Sequence, residues 1–444
     1  MFAEYAAQAD DLSTQEILSL VQWCQENYTP KVQALQVSID ENMELPPLMD
    51  ALLPLMNSYK KDMGAMMDAW CSRLLQSDTK SEPEVIGGMY YTDAPILLFR
   101  FINQQIEVVQ GSGSPKFIGG VVEECIRVLH RFQENTFHML KDEWQGLYLE
   151  YLMALINNYS KCFEYTQELL HKSQKLLVSA EDEETLHGEF DLVAARFTLL
   201  ADRTVDALAN TIFEDLEEAL KMLFKKEWYE EDITGQIIET LKDYFENEVK
   251  GHITEASFSK LAKECIERFL RRYVSELFNK KALPLSKKTV DRLKEDEELL
   301  RDLCRKHTNL REKHYKIYLQ LLSDIRELLD SEPHMIVMYF NQLMQHNKDA
   351  TLTMLTSLIQ RRTDLDKGKM KEAIEACTQA AASIQEKRDN NEKEKGEDTE
   401  GREKNTLDAS PREKTTGFFA DVSTPTLSSK LQSVQNLLKK EDRK

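Results

Sequence analysis

Residues Phe190 to Phe224 read FDLVAARFTLLADRTVDALANTIFEDLEEALKMLF, and this stretch decides the fold class. Val193, Phe197, Leu200, Val205, Leu208, Ile212, Leu216, Leu220 and Leu223 recur at steps of mostly three and four, the period of one helix face. A helix of about 30 residues spans about 45 Å, and one this one-sided is not stable alone. Its stripe must bury against neighbours, and short connections make those neighbours antiparallel.

The same reading extends outward. Proline is absent between Pro115 and Pro284, and the whole chain of 444 residues holds only 15 glycines and 11 prolines. Long helices exclude both residues from their interiors, whereas β-rich chains need them at turns. Ser13-Thr14-Gln15-Glu16 has the form of a capping box that opens a helix ending near Thr29-Pro30. A second helix starts at Pro46-Pro47 and runs towards Ser77, with Pro54 inside it. Ser77 to Gly88 reads as a loop, Asp93 as the cap of the next helix, and Gly111 to Pro115 as a loop with Ser114 as cap. Further helices are expected over Leu147–Leu177, Glu231–Val249, Glu255–Asn279, Lys287–Asp330, Pro333–His346, Ala350–Gln360 and Leu365–Glu386. The fold class is therefore all-α, an elongated rod of consecutive antiparallel helical bundles.

The acidic run Glu181 to Glu184 reads as a joint between an N-terminal bundle region, 1–182, and a C-terminal bundle, 183–386. Residues 387–416 are almost wholly charged or polar, the composition of a disordered linker. Residues 417–444 form a tail in which Leu427, Leu431, Val434 and Leu438 mark a short amphipathic helix, expected to dock on its own last bundle.

The formal charge of -20 argues against nucleic acid as a partner, because phosphate neutralisation needs a basic surface. Seven cysteines, odd in number and without a Cys-x-x-Cys pair, are the usage of a reducing compartment. No basic and apolar leader opens the chain, and no run of about 18 apolar residues is present. A cytosolic location is expected.

Searching for chemistry yields no site. Gly111 to Gly120 follows a helix and lacks a Gly-Lys-[Ser/Thr] ending, so it reads as a loop and not a phosphate cradle. Asp364-x-Asp366 with Glu375 resembles a calcium loop until Lys369 appears where glycine is required, which leaves Asp364 or Asp366 as a helix cap. Cys304, His307 and His314 share a stripe, but the two histidines stand about 10 Å apart on a continuous helix, too far for one zinc ion. No catalytic residue, cofactor, metal site or small-molecule substrate is assigned, and an enzyme is not expected. Lys263 to Lys316 is a basic island in an acidic chain. Its lysines Lys280, Lys281, Lys287 and Lys288 are candidates for an anionic membrane surface, against pairing of the arginines with Glu264, Glu267 and Glu276.

Several segments together carry a family likeness. They are Met89-Tyr90-Tyr91-Thr92-Asp93-Ala94-Pro95, Ala154-Leu155-Ile156-Asn157-Asn158, Ile212-Phe213-Glu214-Asp215-Leu216 and Lys226-Glu227-Trp228. Asp296-Glu297-Glu298-Leu299-Leu300, Ser323-Asp324-Ile325-Arg326-Glu327-Leu328 and Leu358-x-x-Arg361-x-x-Asp364 follow in order. The ordered set resembles the C-terminal region of the exocyst Sec-six family (exocyst component three). The family's N-terminal helices have no counterpart in this sequence, and residues 387–416 look longer than the family's usual segment. The resemblance implies stacked helical bundles and a part in tethering secretory vesicles to the plasma membrane before SNARE-mediated fusion. Other exocyst subunits, SNARE proteins and their regulators are the implied partners. The alternative it allows is a Sec-six-like paralogue, similar to the tumour-necrosis-factor-induced family, acting as a scaffold or small-GTPase effector in actin and membrane remodelling.

Overall fold

The computed structural model describes residues 9–31, 48–142, 144–176, 180–279 and 282–397, and over them the chain is all-α apart from one small hairpin. The Ser13 box forms as expected: the Ser13 amide donates to Glu16 Oε2 at 2.8 Å and the Glu16 amide to Ser13 Oγ at 3.3 Å. Helix α1 (Thr14–Trp23) follows, then α2 (Leu48–Asp78), which contains Pro54. The expected start at Pro46-Pro47 lies outside the described residues.

Between α2 and the next helix the sequence predicts only loop, and the structure differs. Strands β1 (Glu84–Ile86) and β2 (Met89–Tyr91) pair antiparallel, with Val85 opposite Tyr90. Gly87 and Gly88 close the turn at φ of 62° and 92°. A two-residue hairpin turn with both residues left-handed matches the natural strand twist, and glycine adopts it without steric cost. Helix α3 (Ala94–Gln110) follows, but Asp93 makes no side-chain cap bond; the Ala94 amide instead approaches Thr92 Oγ1 at 3.4 Å. Ser114 does cap α4 (Pro115–Asp142), accepting from the Phe117 amide at 3.4 Å.

Helices α2, α3, α4, α5 (Leu149–Gln174) and the first part of α6 (Ala180–Leu220) alternate up and down. Helices next but one ascend together: Lys60 and Asp68 of α2 meet Gly120 and Arg131 of α4, Phe99 and Asn103 of α3 meet Tyr165 and Lys172 of α5, and Gln133 and Phe137 of α4 meet Val193 and Arg203 of α6. Phe197, fully buried on the α6 stripe, lies between Phe99 and Tyr159 at 6.2 and 6.5 Å. Glu181–Glu184, expected as a joint, is helical and belongs to α6.

The chain divides into two compact units. One comprises Met1–Thr211 with Val249–Lys260, the other Ile212–Glu248 with Leu261–Lys444. The second unit contains α7 (Lys226–Glu230), α8 (Ile233–Asp243), most of α9 (Glu255–Leu277), α10 (Lys287–His307), α11 (Glu312–Asp330), α12 (Ile336–His346), α13 (Leu352–Gln360) and α14 (Lys367–Glu397). The single helix expected over Lys287–Asp330 is two. Thr308 Oγ1 donates to the Cys304 carbonyl at 2.7 Å and accepts from the Leu310 amide at 3.3 Å. One side chain thus satisfies the helix end and starts the turn, as threonine readily does. The two helices then run antiparallel, with Lys287 at the start of α10 on Asp330 at the end of α11, 2.7 Å apart. Helix α14 also outruns its expected end at Glu386 and reaches Glu397. Composition argued for disorder there, yet Gln, Glu, Lys and Arg readily extend a helix already nucleated by packing. The remainder of 387–416 and the whole tail 417–444 lie outside the described residues.

All seven cysteines are buried free thiols. Burial pushes them up, to about 11 at Cys24 and Cys377 and about 12 at Cys71, Cys125, Cys265 and Cys304.

The α6 stripe yields a direct contrast. Phe197→Ala should lower the unfolding free energy of its unit by about 3–5 kcal/mol. Leu199→Ala, at a side chain 42% exposed, should cost less than about 1 kcal/mol, both read by urea denaturation.

Candidate functional site

Buried polar groups in a helical interior need partners, since an unmet donor or acceptor costs about 1–3 kcal/mol. The structure gathers such groups into a few nodes. In the first unit, Asn157 and Asn158 of α5 are 1% and 2% exposed. Asn157 Nδ2 donates to the carbonyls of Tyr90 and His252 at 2.9 and 2.8 Å, and its Oδ1 accepts from the Thr254 amide at 3.2 Å. Asn158 accepts from the Thr92 amide and donates to Thr92 Oγ1. The Tyr90 amide itself donates to the His252 carbonyl at 3.2 Å. Two adjacent asparagines therefore tie the hairpin and the 249–254 turn to the side of α5.

In the second unit the chain leaves α6 through Phe224, a buried non-glycine residue at φ 57°. Its ring packs on Trp228 of α7 at 4.6 Å and Tyr273 of α9 at 4.8 Å. Trp228 Nε1 and Tyr273 Oη both donate to Asp296 Oδ2 of α10, at 3.0 and 2.6 Å. Asp296 is 2% exposed, and its Oδ1 finds no hydrogen-bond partner among the described residues. Burial pushes its carboxyl up to about 6, with the Tyr273, Thr234 and Trp228 donors and the Arg292 guanidinium pulling the other way. One carboxylate thus joins three helices.

A third node is an arginine pair between α13 and α14. Arg361 donates to the carbonyls of Leu277, at the end of α9, and Leu283. Arg362, 4% exposed, donates to the carbonyls of Leu328 and Ser331 at 3.1 and 2.7 Å and to Asp364. Helix ends leave carbonyls unpaired, and cations there oppose the dipole. Leu285 lies alongside, bonded through its amide and carbonyl to Arg361 and Thr363.

The residues singled out from sequence are scattered. Cys304 is buried, His307 bonds Glu246 at 2.7 Å, and His314 falls on the next helix, so the three no longer share a stripe. Asp366 caps α14 by accepting from the amides of Gly368 and Lys369, each at 2.9 Å, while Asp364 holds Arg362 and Glu375 pairs with Lys371. In the basic island, Arg268 pairs with Glu264, Arg271 with Glu267 and Arg272 with Glu276, the one-turn pairs expected of a solvated face. Lys287 is bound to Asp330, and Lys288 lies over the Tyr229 ring at 5.8 Å. Lys280 and Lys281 lie outside the described residues. No helix among the described residues is long and apolar enough to cross a membrane.

The nodes coincide with the segments that carried the family likeness: Tyr90–Thr92, Asn157–Asn158, Trp228, Asp296 and Arg361–Asp364. Against known proteins, the sequence profile described as "Exocyst complex component Sec6" matches residues 1–367. The chain belongs to the Sec6 family. Its relatives include the exocyst complex component sec6 of Schizosaccharomyces pombe, 25% identical over 353 residues, covering 74% of this chain and 46% of the relative. SEC6 of Saccharomyces cerevisiae is 23% identical, covering 66% and 39%, and exocyst complex component 3 of Drosophila melanogaster is 20% identical, covering 82% and 51%. The chain spans about half the length of the curated relatives it matches. In fold it is similar to the C-terminal domain of the exocyst subunit Sec6p, with a TM-score of 0.67 at 19% identity over 79% of this chain and 95% of that one. It is also similar to M-Sec, with a TM-score of 0.56 at 15% identity over 85% and 66%. In this Sec6-family chain the signature positions hold helices in register.

Two outcomes follow. Asn157→Ala strands the Tyr90 carbonyl and the Thr254 amide and leaves the His252 carbonyl with the Tyr90 amide alone, and should cost about 3 kcal/mol. Hydrogen exchange should speed up over 84–91 and 249–254, and not in the second unit. For Asp296, the unfolded chain releases its proton near pH 4 while the folded one keeps it to about pH 6. Stability therefore falls as pH rises through that window, by roughly 3 kcal/mol, and stays lower above it. Urea midpoints measured from pH 4 to 7 should show this slope in the native chain and not in Asp296→Asn.

Proposed function

We propose that this chain is a non-catalytic subunit of the exocyst that helps tether secretory vesicles to the plasma membrane before SNARE-mediated fusion. The observation that carries the reading is the continuous match of the Sec6 profile over residues 1–367. The internal chemistry supports it. The buried amides and guanidinium groups of the nodes and one oxygen of Asp296 are occupied with neighbouring protein groups, while apolar side chains such as Val85, Ile86 and Ile317 stay more than half exposed. Such a molecule works through surfaces that hold partners. The partners we assign are other exocyst subunits, with SNARE proteins and their regulators, at a cytoplasmic location recruited to sites of exocytosis.

Purification of the tagged chain from its own cells tests this. Recovery of the other exocyst subunits in comparable amounts is the expected result. Recovery of actin regulators or small GTPases without any exocyst subunit would overturn it in favour of the paralogue reading.

A further inference from the structure

A surface groove of about 480 Å³ in the first unit lies between α2 and α4 and has no part in the nodes above. It is cationic in a chain of formal charge -20. Lys60 and Lys61 line it from α2, Arg127 and Arg131 from α4, against the two carboxylates of Asp68 and Glu124.

Those carboxylates are already committed. Glu124 is 7% exposed and divides its oxygens, Oε2 to Arg127 Nη1 at 2.7 Å and Oε1 to Arg131 Nη2 at 3.1 Å. Asp68 takes Arg131 Nε at 2.8 Å. Arg131 is thus held through two nitrogens and Arg127 through one, with further guanidinium donors left over, the arrangement that preorganises bidentate recognition of phosphate. Among the described residues neither Lys60 nor Lys61 has an ion-pair partner.

Two glycines make the arrangement possible. A Cβ on Gly64 would fall 2.3 Å from Glu124 Oε1, and one on Gly120 would fall 3.1 Å from Lys60 Cδ. Glycine in a helix interior weakens the helix. Here it lets Glu124 of α4 lie under the arginines and lets Lys60 of α2 extend across α4.

We propose that this groove binds a small, multiply phosphorylated anion, an inositol polyphosphate presented either free or as a lipid headgroup. A single phosphate engages one fork and leaves the lysines unused, whereas a ring bearing several phosphates reaches both arginines and both lysines at once. The acidic remainder of the chain repels anions at long range, and salt screens that repulsion beyond about 8 Å at physiological ionic strength. Only a ligand of dense charge gains more from the groove than it loses outside it.

Isothermal titration of the 444-residue chain with inositol hexakisphosphate at physiological salt tests the proposal. Sedimentation with vesicles containing or lacking a phosphoinositide bisphosphate runs in parallel. Saturable binding is expected, weakened about tenfold or more in Lys60→Gln/Lys61→Gln and again in Arg127→Gln, the scale of one charge-assisted hydrogen bond each. These side chains are exposed or half-buried, and an unchanged circular dichroism spectrum confirms that the variants fold. Lys287→Gln/Lys288→Gln, in the other unit, should bind as the native chain does. Vesicle binding that falls in step with the soluble ligand assigns the headgroup, and soluble binding alone assigns a free polyphosphate. No binding to either probe would overturn the proposal. So would groove variants that bind like the native chain, or equal loss in the Lys287/Lys288 variant.

Discussion

Burial of a one-sided apolar stripe is the interaction on which this structure rests. A helix in water gains little from its own hydrogen bonds, so α6 persists only because Val193, Phe197 and Leu200 are covered by α3, α4 and α5. Because the connections are short, each helix must return beside the one before. The up-down alternation seen in the first unit is a consequence of that return.

Apolar burial has no direction, however, and helices joined by it alone slide. The buried polar groups remove that freedom. Asn157 bonds one amide and two carbonyls in fixed places, and Asp296 accepts from both Trp228 and Tyr273 at one oxygen. A shift of α5 by one residue would strand the Asn157 groups, and a shift of α10 the Asp296 groups. In this chain the segments that carry the Sec6-family likeness lie where elements are pinned to one another. Asp296 is the node whose cost is visible, since its second oxygen finds no partner among the described residues and burial raises its carboxyl to about 6.

Much of this was legible in the order of residues. The 3.6 period of Val193 to Leu220, the Ser13–Glu16 box and the Ser114 cap are local patterns, and local patterns survive folding. Pairings across distance were not legible. Nothing near Trp228 announces Asp296, and nothing near Asn157 announces the His252 carbonyl. The hairpin at Gly87-Gly88 did carry a signal in its paired glycines, overshadowed by the polar residues before it. Thr308 splits α10 from α11 through its own hydroxyl, in a stretch whose apolar spacing continues without a break. The groove between α2 and α4 was invisible for the same reason as the nodes, because its cations come from two helices brought together only by packing.

The sealed cysteines have a practical side. The thiolate is the reactive form, and with every thiol desolvated the folded molecule is closed to alkylating reagents and mild oxidants. Cys24, Cys71, Cys125 and Cys162 belong to the first unit and Cys265, Cys304 and Cys377 to the second. A trapping reagent present during unfolding would thus write into the mass of each peptide which unit opened and when, a chronometer carried by the native sequence without any engineered label.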